Sequence, residues 1–287
     1  MTEFICPDFS SRFKSDGLSE ELIREFQTFV FTFYDEHGRH DMEWRHTTDP
    51  YLITVSEIML QQTQVPRVAQ IFPKFIQRFP DAAALAAADE SEVLREWQGM
   101  GYNRRALNLQ KLCRIVCQER GGVFPQTPEE LVQLPGIGPA TSCSIAAFAY
   151  NSPVVFIETN IRRVVIHLFF RDSEEVDDSL IYPIVEASLP KNRSREWYWA
   201  LMDLGTEMKK NIANPNRKSR QYVKQSKFEG SNRQIRGDVL KKLLVLKTAT
   251  ASELAKETGY PVEKVAAVLS EMKKEGFFTE SNGQFSV

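Results

Sequence analysis

The 287-residue sequence lacks several features that would set it apart from ordinary globular proteins. It has only four cysteines, which form neither a secreted disulfide framework nor a C-x-x-C metal motif: Cys6, Cys113, Cys117 and Cys143. Cys113 and Cys117 stand four apart in an apolar helical pattern, which favours buried free thiols over a metal or redox role. No apolar run approaches the roughly 20 residues of a membrane-spanning helix, and no signal segment opens the chain. The lack of a signal segment predicts a cytoplasmic protein, and a net charge of −2 argues against a chain that is basic throughout. We expect a monomer that binds no membrane.

Helical periodicity, by contrast, is abundant. After Ser19, apolar residues recur at helical spacing from Leu22 to Phe33, with acids in the first turn, where the helix dipole favours them. Thr127-Pro128 with Glu130 predicts a capped helix start. Further helices are predicted over 51–62, 64–79, 90–97 and 104–119. Because β-α-β alternation and a fixed repeat are both missing, we predict an all-α main body.

The composition changes after about residue 205. Between Thr206 and Lys242 the sequence has eleven Lys or Arg against three acids, which predicts a basic linker over 206–236, either solvated or in contact with phosphate. Residues 237–287 then show three short helical patterns and two strands around Ser281-Asn282-Gly283, and so resemble a small winged-helix module. Such modules bind DNA or protein. Lysines on the third helix are balanced by glutamates, so the pattern does not favour insertion of this helix into a DNA groove.

A glycine-containing turn, Leu134-Pro135-Gly136-Ile137-Gly138, precedes a predicted helix from Pro139 to about Tyr150. Two glycines two apart permit a tight turn and let a partner approach the backbone closely. The amides of the turn and of the following helix start suit an anion such as a DNA phosphate. A lone Gly-x-Gly pattern would instead favour a plain corner between helices.

The residues around this turn are similar to a known family. The order of features here resembles that of the helix-hairpin-helix superfamily of DNA glycosylases. It consists of Leu134, the Pro-Gly-Ile-Gly turn, a helix of small residues and then Glu158. The segment from Ser56 to Val65 (SEIMLQQTQV) resembles the most distinctive segment of its MutY-type adenine glycosylases. Further matching segments follow in the same order over residues 20–205: Trp44-Arg45, Asp49-Pro50-Tyr51, Trp97 to Tyr102, Arg105, Asn108-Leu109, Asn160 to Val164 and Leu201 to Gly205.

The resemblance implies both an architecture and an activity. A two-lobed helical glycosylase domain is expected over 1–205, with a barrel lobe over about 48–150 and a second lobe formed by 1–47 and 151–205. The expected partner is double-stranded DNA that contains a damaged or mismatched base. The expected reaction is base excision, in the bacterial cytosol or nucleoid.

The resemblance also implies roles for individual residues. Adenine leaves its sugar only if a ring nitrogen is protonated, and Glu57 is the implied acid. Glu158, where the family has Asp, and Asn160 complete the implied catalytic group, the carboxylate stabilising positive charge on the sugar. The implied pocket around the extruded base consists of Trp44, Arg45, Leu60 and Asp203. The implied DNA contacts are Gln62, Tyr102, Leu134, Gly136, Ile137, Gly138, Ala140 and Thr141.

The sequence also departs from the family. Ala140 stands where bifunctional relatives carry a nucleophilic lysine, so a monofunctional enzyme without lyase activity is expected. Residues 206–287 contain no cysteine, so no 4Fe–4S cluster, other cofactor or metal is expected. Only about fifty residues stand where the family has a nudix-like domain that reads 8-oxoguanine, and Asn103 replaces an aromatic residue.

The expected substrate is therefore adenine or a modified adenine such as 2-hydroxyadenine, with the opposite base left open. Two alternatives remain. One is a thymine or uracil mismatch glycosylase, and the other is a non-catalytic DNA-binding regulator.

Overall fold

The computed structural model describes residues 7–223 and 227–287; Cys6 and part of the predicted linker lie outside these residues. Helices dominate, which confirms the all-α prediction, and no helix in the described chain is long and apolar enough to cross a membrane. In chain order the helices are α1 (Ser10–Asp16), α2 (Glu20–His37), α3 (Pro50–Leu60), α4 (Val65–Arg78), α5 (Ala82–Ala87), α6 (Glu90–Glu96), α7 (Arg104–Glu119), α8 (Pro128–Leu131), α9 (Pro139–Tyr150), α10 (Thr159–Phe169), α11 (Asp178–Ser188), α12 (Ser194–Asn211), α13 (Asn232–Leu246), α14 (Ala251–Thr258) and α15 (Val262–Lys274). Two 3-10 helices (Glu43–Arg45 and Pro215–Lys218) and three strands, β1 (Thr248–Thr250), β2 (Thr279–Ser281) and β3 (Gln284–Ser286), complete the list.

The described chain divides into two compact units, each with its own core. The first unit comprises residues 7–53, 126–132 and 138–223, and the second comprises 54–125, 133–137 and 227–287. In this division α9 belongs to the first unit, where it packs against α12, a contact that its position along the chain does not reveal. The barrel lobe predicted over about 48–150 stays a prediction.

In the first unit, α2, α10 and α12 form the core. Ser19 caps α2 by accepting a hydrogen bond from the Leu22 N–H at 3.2 Å, as its position in the sequence predicts. The buried stripe of α2 then meets α12, where the rings of Phe26 and Trp197 pack edge to face with centroids 5.4 Å apart. α10 is buried along most of its length, so the residues at its N-terminus are held rigidly.

In the second unit, α7 packs against α5 and α6. The predicted helices at 90–97 and 104–119 agree with α6 and α7. Helix α5 was not predicted from periodicity because its sequence, AAALAA, contains one large apolar residue; Asp81 caps it by accepting from the Ala84 N–H at 2.7 Å. Trp97 is fully buried and contacts Phe75 edge to face.

The C-terminal module has the predicted three helices followed by a β-hairpin. β3 pairs antiparallel with β2 and also with β1, which the sequence did not reveal, so the sheet order is β1-β3-β2. Thr250 and Glu253 form the capping box of α14. The module begins before residue 237, since α13 starts at Asn232 and Ile235 is buried.

The segment predicted as a basic linker is partly ordered within the first unit. α12 continues to Asn211, and the 3-10 helix Pro215–Lys218 packs against α10. Asn216 donates a hydrogen bond to the Thr159 carbonyl at 2.9 Å, and the Val176 N–H donates to the Lys218 carbonyl at 2.8 Å. The sequence predicted a linker because this segment has no apolar periodicity. Its local structure is instead held by hydrogen bonds, which the composition does not reveal.

Candidate active site

Glu57 lies on α3 between side chains that are almost fully buried. Val55, Ser56, Ile58 and Met59 have practically no exposed surface, whereas Glu57 is only partly buried. A general acid in a glycosylase is a carboxyl group that is partly withdrawn from water, and the partial burial of Glu57 is compatible with that role.

Arg105 fixes the chain immediately after α3. Its guanidinium is buried and donates to the carbonyls of Ile58 at 2.8 Å, Met59 at 2.9 Å and Gln61 at 2.5 Å, and also to those of Met100 and Gly101, each at 3.0 Å. The last carbonyls of a helix lack partners within the helix, and the helix dipole also stabilises a cation at that end. One side chain therefore ties the 58–61 segment to the 100–101 segment.

Gln62 and Tyr102, the two residues that adjoin these tied segments, both have positive φ, +56° and +44° respectively. Such backbone conformations are uncommon for residues other than glycine and occur at functional sites when the surroundings enforce them. Both residues had been predicted to contact DNA, and the structure brings them to the lining of one cavity.

In the first unit, Glu158 is the N-cap of α10. Its Oε1 accepts from the N–H of Asn160 at 2.8 Å and of Ile161 at 3.1 Å, while Oε2 lies 3.4 Å from the amide nitrogen of Asn160. Burial raises the pKa of the Glu158 carboxyl, and the two backbone hydrogen bonds and the charge of Arg163 oppose that rise. The longer side chain thus keeps a carboxylate at the helix start, with Oε2 the less engaged oxygen.

Asn160, also predicted as catalytic, is positioned by a buried arginine. Arg163 donates to Asn160 Oδ1 at 2.6 Å and to the Gly205 carbonyl at 2.7 Å. Gly205 is required there because a Cβ would lie 2.5 Å from the Asn160 carbonyl oxygen. α12 therefore approaches α10 so closely at this point that residue 205 must be glycine.

Of the residues predicted to surround the extruded base, Trp44, Arg45 and Asp203 belong to the first unit and Leu60 to the second. Asp203 accepts hydrogen bonds from Arg45 at 2.7 and 2.8 Å and from the Arg39 Nε at 2.7 Å, and its side chain is 2% exposed. Trp44 is buried in the same unit, whereas Leu60 belongs to the second. Arg45 and Asp203 therefore form a buried ion pair, and their contact with a base stays a prediction.

The predicted hairpin combines anchoring and exposed residues. Leu134 and Ile137 are buried, and the Ile137 N–H donates to the Leu134 carbonyl at 3.2 Å, so this amide serves the turn itself. Gly136 is exposed with φ +82°, and its carbonyl accepts from the Gln61 side chain at 3.3 Å. The side chains of Leu134 and Ile137 thus anchor the turn, and the contact of the turn with DNA stays a prediction.

The start of α9 carries the remaining predicted DNA contacts. Gly138 is its N-cap and Pro139 its first residue, while Ala140 is exposed and Thr141 half-buried. Gly138 has ordinary φ, and a Cβ there would meet nothing within 4 Å. The conformation of Gly138 therefore does not require glycine. The absence of a side chain there leaves room for a partner to approach the backbone closely.

Sequence reasoning missed one residue of this region, Arg233, which it had counted as part of the basic linker. Arg233 donates to the Tyr102 hydroxyl at 2.5 Å. The charge of the 206–242 segment was the only signal available, because pairing of Arg233 with Tyr102 depends on how α13 packs.

A metal or iron–sulfur centre does not fit the described residues. They contain no group of three or more His, Cys, Asp or Glu side chains that could hold an ion. Cys113 is buried in α7, and burial raises the pKa of its thiol, which disfavours the thiolate that metals require. Cys143 lies on α9 in the other unit.

Comparison with known proteins gives consistent similarities. Residues 55–181 match the model of the HhH-GPD superfamily of base excision DNA repair proteins. An adenine DNA glycosylase of Mycolicibacterium smegmatis is 39% identical over 61% of this chain and 60% of its own length, and one of Buchnera aphidicola is 34% identical over 63% and 52%. The chain thus spans between about half and three fifths of these curated relatives. A solved structure of a thermostable thymine-DNA glycosylase is 26% identical, covering 64% of this chain and 85% of that chain with a TM-score of 0.56.

Proposed function

We propose that the protein, whose residues 55–181 match the model of the HhH-GPD superfamily of base excision DNA repair proteins, is a DNA glycosylase that hydrolyses the N-glycosidic bond of adenine, or of a modified adenine, in duplex DNA. The observation that carries the proposal is Glu57, a partly buried carboxyl on α3 flanked by the almost fully buried Ser56 and Ile58. The names of the two curated relatives support adenine as the base.

The chemistry follows from the two carboxyl groups. Glu57 donates its proton to a ring nitrogen of the base as the bond between that base and C1′ of the sugar breaks, so the base leaves neutral. Glu158 is the carboxyl group whose negative charge, as in the family's aspartate, would stabilise the positive charge left on the sugar. Water then adds to C1′ and gives a proton to the Glu57 carboxylate, which restores the acid.

We propose that the backbone of the hairpin binds the DNA. The amides at the start of α9 face an exposed surface next to Ala140, and a helix N-terminus attracts a phosphate without reading sequence. Ala140 has no amine, so attack on the sugar to form a Schiff base cannot start from this position. We therefore assign a monofunctional reaction that leaves an abasic site, carried out on DNA by a monomer without a cofactor.

The cluster of the wider family has no donor set here. The segment after α12 is instead fastened by Asn216 and by the Val176–Lys218 backbone hydrogen bond. We propose that hydrogen bonds of this kind, rather than a bound cluster, hold this segment.

The test is single-turnover excision on duplexes that carry adenine, 2-hydroxyadenine, hypoxanthine, thymine or uracil opposite each normal base. Release of a purine by the wild-type protein is expected, with Glu57→Gln slower by about a hundredfold or more, since general acid catalysis contributes that much. Glu119→Gln, at an exposed position on α7, is the matched control and should keep the wild-type rate.

Two outcomes would count against this assignment. Release of thymine or uracil alone would favour the second candidate, which the similarity to a thymine-DNA glycosylase supports. A Glu57→Gln variant as fast as wild type would remove Glu57 from the chemistry altogether.

A further inference from the structure

The peptide group between Thr159 and Asn160, at the start of α10, is held at both of its polar ends. Its carbonyl, on Thr159, accepts a hydrogen bond from the Asn216 side chain at 2.9 Å, and its N–H, on Asn160, donates to Glu158 Oε1 at 2.8 Å. We propose that Asn216 is a positioning residue for the reaction and that it acts on Glu158 through this one peptide group. The inference rests on the glycosylase function proposed above and adds to it a residue from the segment after α12.

A peptide group can transmit such a contact because it is planar and rigid. Resonance keeps its carbonyl and its N–H in one plane, so fixing the direction of the Thr159 carbonyl also fixes that of the Asn160 N–H. A hydrogen bond accepted by the carbonyl further polarises the group, which strengthens the bond that its N–H donates. Asn216 therefore influences both the direction and the strength of the hydrogen bond to Glu158.

Asn216 is buried, and its backbone is fixed on both sides of the side chain. The residue is 3% exposed, and among the described residues the Thr159 carbonyl is the one hydrogen-bond partner of its side chain. Its N–H donates to Asn214 Oδ1 at 3.2 Å, and its carbonyl accepts from the Ser219 N–H at 3.0 Å. The Nδ2 donor is thus preorganised, so little ordering cost falls on the bond to Thr159.

The segment that carries Asn216 is also tied to the chain beyond α10. The 3-10 helix Pro215–Lys218 packs against α10 itself. Val176, which is fully buried, donates from its N–H to the Lys218 carbonyl at 2.8 Å and accepts from the Arg220 N–H at 3.3 Å. Movement of Asn216 away from the start of α10 would break these backbone hydrogen bonds as well.

The hydrogen bond from the Asn160 N–H matters for the ionisation of Glu158. Burial raises the pKa of the Glu158 carboxyl, and this N–H is the strongest of the contacts that oppose the rise, ahead of the Ile161 N–H and the charge of Arg163. Charged side chains on the elements that pack against α10 are engaged elsewhere: Lys14 with Asp172, Asp178 with Arg162, Asp203 with Arg45, and Lys218 with the Arg171 carbonyl.

The first test measures the contact without any reaction. It is amide hydrogen exchange of the full chain, free of DNA and followed by NMR. In Asn216→Leu, which has a side chain of similar shape but no donor, the Asn160 amide should exchange about threefold or more faster than in wild type. Asn216→Ala, which cannot clash with its surroundings, should show the same increase. The Leu168 amide, in the last turn of α10, should keep its wild-type rate in both variants.

The second test is the pH dependence of single-turnover excision, measured with the protein in excess. A weaker bond from the Asn160 N–H lets the pKa of Glu158 rise, so less of this carboxyl is ionised at acidic pH. The rate of Asn216→Leu should therefore be lower than that of wild type by a factor of about 3–10 near pH 5. The two rates should converge as the pH rises to about 8, where the carboxyl is ionised in both proteins.

Gln221→Ala is the matched control. Gln221 is an exposed amide side chain in the same segment, and its hydrogen bonds go to Ser219 and Asp177 rather than to α10. This variant should keep the wild-type exchange rate at Asn160 and a rate of excision that equals that of wild type at every pH. Melting temperatures of all variants establish that they are folded.

Either of two results would overturn the inference. One is unchanged exchange of the Asn160 amide in both Asn216 variants. The other is a rate of excision that falls by the same factor at every pH, or not at all, because a merely structural contact has no reason to follow the ionisation of Glu158. A wild-type protein that releases no purine would instead overturn the glycosylase function, and the exchange rates would still decide whether Asn216 holds the peptide group.

Discussion

Asp203 offers the sharpest test of how the first unit is held together. Its side chain is 2% exposed and that of Arg45 is 5% exposed, whereas Arg39 is 30% exposed. In the Asp203→Asn variant, Arg39 can turn toward water, but Arg45 stays buried without a carboxylate. Breaking a buried ion pair from one side costs about 3–5 kcal/mol, because the remaining charge is uncompensated. We therefore expect the free energy of unfolding to fall by about that amount.

The measurement is urea unfolding followed by circular dichroism and tryptophan fluorescence. Glu207→Gln is the matched control, since Glu207 lies on the same helix and pairs with Lys210 while their side chains are 35% and 65% exposed. An exposed pair contributes at most about 1 kcal/mol. If the two variants differ from each other by less than about 1 kcal/mol, the ion pair does not have the buried role that its geometry indicates.

The pH dependence of this effect has a defined sign. Burial by itself raises the pKa of Asp203, but the hydrogen bonds and charges of Arg45 and Arg39 outweigh it and lower the pKa below the usual value. The stabilisation is therefore complete above the unfolded-state pKa of about 3.9 and is lost as the pH falls through the lower folded-state value. The stability difference between wild type and Asp203→Asn should stay constant from neutral pH to about 5 and narrow only below about 4.

Two further substitutions test the backbone geometry of the second unit. Arg105→Lys retains the charge but has too few donors for the five carbonyls, so the free energy of unfolding should fall by about 2–3 kcal/mol. Urea unfolding measures this loss, and Arg95→Lys, at an exposed site, is the control. No loss beyond that of Arg95→Lys would contradict the bracing role. Gly136→Ala places a Cβ 3.0 Å from Asn108 Cβ at φ +82° and should destabilise by about 1–3 kcal/mol. Gly237→Ala, in open space on α13, should instead stabilise by up to about 1 kcal/mol; equal effects of the two would refute the strain argument.

Much of the fold follows from local chemistry that a sequence displays. Ser19, Asp81 and Thr250 cap the helices that follow them, because a side-chain oxygen satisfies an amide that the helix leaves unpaired. Pro139 opens α9 where predicted, and Asn282-Gly283 turns the final hairpin. These signals depend on neighbours in sequence, so they survive without knowledge of the tertiary structure.

Other features escaped prediction because they depend on long-range packing. The sequence marked Asp203 as a base-pocket residue, yet the structure pairs it with Arg45, 158 positions away. β1 pairs with β3 across more than thirty residues, and three residues of alternating exposure give too weak a pattern to identify a strand. In the sequence, Arg233 is one of many charged residues in a basic segment. The structure shows that it lines a cavity.

For this protein, the sequence by itself determined most of the helices, several of their caps, the resemblance to a glycosylase superfamily and the carboxyl groups of the candidate chemistry, since each is encoded by residue type and spacing. Only the tertiary structure decided that Arg105 braces the chain after Glu57, that Gly205 lets α12 approach Asn160, and that the C-terminal module shares a cavity with Gln62 and Tyr102. The physical reason is that burial and hydrogen-bond pairing are properties of assembled surfaces. Chain order constrains those surfaces but does not specify which of them meet.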